Sequence, residues 1–123
     1  MDQKVIGINM LYLTVRQKYF DAIKAGLKKV EGRLHSADLK KLAIGETITF
    51  TSSDTNEKIL CTVTALHVYP NFKAMLVAEG INNMLPGITN LAEGVAIYES
   101  FPDYKENVKK TGALAIRIKR EIP

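Results

Sequence analysis

The sequence predicts an α+β fold, a curved sheet or partly closed barrel with helices packed over its openings. Three observations carry this expectation. Leu11-Leu13-Val15, Ile59-Cys61-Val63-Ala65 and Leu114-Ile116-Ile118 place apolar residues at every second position, the period of a strand. Phe20, Ile23 and Leu27 follow an i, i+3, i+7 stripe, the period of a helix. Links of hairpin length between strand segments favour antiparallel pairing.

Taken in order, Val5 to Val15 reads as one strand. Arg16 to Ala25 reads as a helix, ended at Gly26, where a residue without a Cβ takes the left-handed conformation cheaply. A strand follows from Lys28 to Leu34, then a polar, basic loop or short helical turn from His35 to Ala43. Thr47 to Thr51 is a strand, 52–56 a hairpin loop, and Lys58 to Tyr69 a long strand. Its inward parity slips after Ala65, which predicts a bulge there. Pro70 ends it. Phe72 to Glu79 is a short helix, and Thr89-Asn90 caps another running to about Ser100, with Glu93 in its first turn. Ala113 to Lys119 is the last strand. The predicted order is β-α-β-β-β-α-α-β.

A length of 123 residues suits one domain, and residues 1–123 are read as a single one. Composition is ordinary for a globular chain, with 46% apolar and 24% charged residues. The lone Cys61 excludes an intrachain disulfide and a multi-cysteine zinc site, and suits a reducing compartment. The absence of a signal segment or an apolar run long enough to span a bilayer points to a cytoplasmic protein.

Charge is unevenly distributed. Residues 1–41 hold nine Lys/Arg against four Asp/Glu, 42–104 two against seven, and 105–123 six against two. If the two basic ends meet in the fold, they form one positive face suited to nucleic acid. Otherwise they are two solvated segments.

The densest chemistry lies in Gly26-Leu27-Lys28-Lys29-Val30-Glu31-Gly32-Arg33. Strand parity puts Lys29, Glu31 and Arg33 on one side and Lys28, Val30 and Gly32 on the other. On an open surface such a row is a solvated ion-pair network, worth about 0–1 kcal/mol per pair. In a cleft, Arg and Lys suit phosphate and Glu31 suits a base amine. Gly32 marks a bulge or a close approach.

This segment resembles the G-x-K-x-x-E-x-R signature of ASCH domains, of the PUA-like superfamily. The stretch Leu42–Phe50 is similar to the family's KVGD-x-I-x-F strand, with Glu46 where Asp is usual. Leu85-Pro86-Gly87, Glu93-Gly94-Val95, Ile97-Tyr98 and Gly112–Ile116 resemble its later blocks. The resemblance implies a PUA-like β pseudo-barrel with helices over its openings, and RNA or a modified nucleoside as partner. The ligand would sit in a basic cleft around Lys28, Lys29, Glu31 and Arg33, bordered by Tyr12, Arg117 and Lys119.

Some relatives are amidohydrolases of N4-acetylcytidine, which use the signature lysine, a threonine three residues later and a downstream glutamate. Here Lys28 matches the lysine and Arg33 the arginine, but Glu31 replaces the threonine, and Glu93 is the nearest downstream acid. Other relatives are ribonucleases, for which Glu31 or His35 would act as base. Lys28 and Glu31 are therefore the catalytic candidates if the protein is a hydrolase. ASCH domains also occur in a transcription coactivator, which implies a protein-interaction module as a third class. His35 otherwise reads as an exposed loop residue, and His67 as packed or at an edge. No cofactor motif or metal-ligand spacing is present. A divalent ion held between phosphate and one carboxylate is compatible with the composition.

Overall fold

The alternating segments pair into one sheet in a computed structural model that describes residues 3–6 and 10–121. Its strands are β1 (Gln3–Ile6), β2 (Met10–Val15), β3 (Val30–Leu34), β4 (Thr47–Ser52), β5 (Lys58–Tyr69) and β6 (Ala113–Arg120). The helices are α1 (Gln17–Lys24), α2 (Phe72–Glu79), α3 (Ile81–Met84), α4 (Leu91–Glu99) and α5 (Tyr104–Thr111). The strand order is β1-β2-β4-β5-β6-β3. Among the described residues only β2 and β4 pair in parallel; the other pairs are antiparallel. The register of β5 on β6 shifts between Val63 and Ala65, the bulge expected from the parity slip.

The sheet curls until its ends approach. Arg33 on β3, one edge, donates from Nη2 to the Thr14 carbonyl of β2 at 3.2 Å. β2 and β3 are not neighbours in the sheet, so this bond spans the open side of the barrel. Inside lie Leu11, Leu13, Val15, Ile48, Phe50, Cys61, Val63, Leu114 and Ile116, closed over by Phe20 and Ile23 of α1 and by Phe72, Met75 and Leu76 of α2. Asn71 and Asn90 cap α2 and α4 by accepting from the Ala74 and Glu93 N–H groups.

Four elements differ from the expectation, one of them β3, which begins at Val30 and not at Lys28. The single strand from Val5 to Val15 is two antiparallel strands, β1 and β2, with Ile6 opposite Met10; residues 7–9 lie outside the described residues. Helix α3 is four residues long, too short for a period to show. Helix α5 is polar on nearly every side, and only Val108 is buried, so it carries no apolar stripe.

Candidate functional site

Helix α1 ends at Gly26, whose φ of +77° turns the chain sharply towards β3. The Leu27 and Lys28 amides both donate back to the Ala22 carbonyl, at 2.9 and 3.1 Å. β3 begins only at Val30, so strand parity does not extend back through Lys28 and Lys29. The expected grouping of Lys29 with Glu31 and Arg33 is thereby corrected. Lys28 joins the two, and Lys29 points to solvent.

Lys28, Glu31 and Arg33 are 4%, 3% and 0% exposed, which excludes a solvated surface network. Glu31 is the hinge of the cluster. Its Oε2 accepts from Arg33 Nε at 2.8 Å, and its Oε1 lies 3.3 Å from Lys28 Nζ. Lys28 Nζ also donates to the carbonyls of Val30 and Met84, and lies 5.5 Å from the centre of the Tyr19 ring. Three acceptors thus match the three protons of its ammonium group. Arg33 Nη1 is buried without a hydrogen-bond partner among the described residues.

Burial lowers the Lys28 pKa from its ordinary value, and the pull of Glu31 recovers only part of the shift. Burial pushes the Glu31 carboxyl up, but Lys28 and Arg33 together outweigh it and hold the group below the usual carboxylate value. Tyr98, stacked on Phe72, has its hydroxyl pushed well up by burial and then by Glu31. It lies against Gly32, where an added Cβ would meet its hydroxyl oxygen at 2.7 Å and Met75 Cε at 2.9 Å. The glycine therefore serves the close approach of a tyrosine.

Two spaces adjoin Lys28. The inner one, about 10 Å³, is lined by Val15, Tyr19, Lys28, Glu31, Gly32, Leu85, Tyr98 and Phe101. The outer one, about 260 Å³, is a groove lined by Ile23, Gly26, Lys28, Lys29, Ile118, Lys119 and Arg120. β3 lies antiparallel to β6, which brings the basic segment 28–33 against the basic segment 117–120.

The other candidates are placed as follows. Tyr12 is half-buried opposite Thr49 of β4 and lines neither space, because its parity on β2 is opposite to that of Val15, which lines the inner one. Arg117 is engaged elsewhere. Its Nε donates to the buried carboxylate of Glu79 at 2.8 Å, and the same carboxylate accepts from the Tyr69 hydroxyl. Tyr69 is pushed up to about 12 by burial and by Glu79. His67 is exposed on β5, and His35 is half-buried after β3. Glu93 is exposed in the first turn of α4. Sequence reasoning missed Met84 as an acceptor for Lys28, since a main-chain carbonyl leaves no residue signal. It also placed Arg120 only among the basic ends. Among the described residues no three His, Cys, Asp or Glu side chains converge as a metal site would need, and no helix is long and apolar enough to cross a membrane.

The sequence pattern of the family described as the ASCH domain matches residues 13–121. The chain is similar to the crystal structure of the hypothetical protein PH0355, with 37% identity over 89% of this chain and 97% of that one, at a TM-score of 0.81. The solution structure of protein PF0455 from Pyrococcus furiosus is 32% identical over 90% of this chain and 96% of that one, at a TM-score of 0.73. An ASCH protein from Zymomonas mobilis shares the fold at 13% identity and a TM-score of 0.62, over 92% of this chain and 68% of that one. No curated protein matches.

Proposed function

The chain belongs to the ASCH domain family, and from that premise we propose that it binds RNA or a modified nucleoside at the basic cleft beside β3. One observation carries this reading: Lys28 and Lys29 from one basic segment, and Lys119 and Arg120 from the other, line a single groove. The uneven charge of the sequence thus becomes one positive face, which concentrates a polyanion locally.

A hydrolase reading draws on the lowered pKa of the buried Lys28 beside Glu31. Two features weigh against it. The Lys28 ammonium already has three acceptors, and the inner space beside it holds about one water and is lined, among the described residues, by no serine or threonine. The binding reading needs neither a nucleophile nor a second reactant.

Labelled RNA of mixed sequence, titrated with protein at rising salt, tests it. Affinity should fall linearly on a log–log plot as counterions are released. Absence of binding at low salt would sink the reading. Incubation with N4-acetylcytidine, followed by chromatography for cytidine, tests the hydrolase, and no product is expected.

A further inference from the structure

The two spaces beside Lys28 differ in what they can hold. The inner one has room for about one water and is walled by Tyr19, Tyr98, Phe101 and Leu85. A nucleoside does not fit there. The outer groove is below the roughly 300–1,000 Å³ of pockets that enclose a small molecule. It suits a segment of a longer chain laid across it.

Its lining is equally selective. Beside the buried Lys28, three more accessible cations, Lys29, Lys119 and Arg120, accompany the aliphatic Ile23 and Ile118 and the bare backbone of Gly26. Among the described residues it contains no aromatic ring on which a base would stack and no carboxylate or amide side chain to read a base edge. What remains is the chemistry that binds phosphate. Lys29 and Lys119 form no ion pair among the described residues, whereas Lys24 is held by Glu57 and Arg117 by Glu79. Arg120 spends one donor on the Lys24 carbonyl, at 3.0 Å, which fixes its guanidinium at the end of α1.

The groove wall is rigid for a reason that lies beneath it. The Lys29 amide donates to the Asn83 carbonyl at 2.9 Å, and the Lys29 carbonyl accepts from the Ile118 amide at 3.0 Å. Lys28 reaches inward to the Met84 carbonyl, one residue from Asn83, and to Glu31. The buried charges thus tie the turn after α1 to both α3 and β3, and set where Lys29 emerges.

We infer that the outer groove takes the phosphodiester backbone of single-stranded RNA with its bases turned outward, and that Lys28, Glu31 and Arg33 position the groove without touching the ligand. This rests on the binding reading above and narrows it from RNA or nucleoside to the sugar-phosphate chain.

The test compares wild type, the double variant Lys29→Glu/Lys119→Glu, and Lys73→Glu, a control with the same charge change per position on the exposed side of α2. All three substituted positions are exposed, and a thermal melt of each variant checks that it is folded. Binding is read by the anisotropy of labelled single-stranded poly(U), poly(C) and mixed RNA. Three phosphate contacts at about 0.7 each predict a salt slope near −2 for wild type. The double variant should bind at least about tenfold more weakly with a flatter slope, since its charges now repel phosphate. Lys73→Glu should bind nearly as wild type does, the three RNAs should bind alike, and cytidine and N4-acetylcytidine should not displace them. If RNA binds and the double variant is indistinguishable from wild type, or a nucleoside competes, the groove inference is wrong while RNA binding stands. If wild type binds no RNA, the broader reading falls with it.

Discussion

Glu31 carries the balance of the buried charges, since one carboxylate faces both a lysine and an arginine. Removing it leaves two buried cations uncompensated. Glu31→Ala should therefore cost about 3–5 kcal/mol in urea unfolding, as breaking buried ion pairs does. A loss below about 1 kcal/mol would show that the cluster is solvated. The same residue sets an acid limit. Its carboxyl is held below the ordinary 4.5, so it binds fewer protons folded than unfolded. That contribution is complete above pH 4.5 and is lost as pH falls through the folded value. Wild type should lose stability below pH 4.5 more steeply than Glu31→Gln, as read by melting temperature against pH. The importance of Glu31 and Arg33 was legible from their spacing. Strand parity set Lys28 on the other side and only the resemblance grouped it with them, because a two-residue parity applies only within a strand and β3 starts after Lys29.

Among the elements, β3 and α4 are fitted to each other through one missing side chain. Gly32 admits the Tyr98 ring, and a methyl group there would overlap its hydroxyl and Met75. Gly32→Ala should destabilise by about 1–3 kcal/mol, the usual cost of overpacking, with a lower midpoint in chemical denaturation. An unchanged midpoint would mean that the tyrosine is free to move. The strand and helix order read well from the sequence wherever apolar period was strong, as in β5, β6 and α1. It failed at α5, whose residues are polar apart from Tyr104 and Val108, and at α3, which spans a single turn. Gly32 was legible as a place of close approach, but the residue that approaches comes from 66 positions later, as its number shows.

For the whole molecule, the topology joins chain ends that the sequence keeps apart. Pairing of β3 with β6 turns two basic segments separated by an acidic middle into one groove. The charge pattern was visible in the sequence; that its two halves meet depends on a pairing between residues 79 to 87 positions apart. Arg33 closes the barrel on its open side, so the same segment that shapes the groove also holds the sheet ends together. The most direct measurement is an amide NMR titration of the protein with single-stranded RNA. The signals of Lys29, Ile118, Lys119 and Arg120 should shift first and saturate together, while those on α5 and around Tyr12 stay in place. Shifts centred on Tyr12 and β4, or none near β6, would rule out a site in this groove.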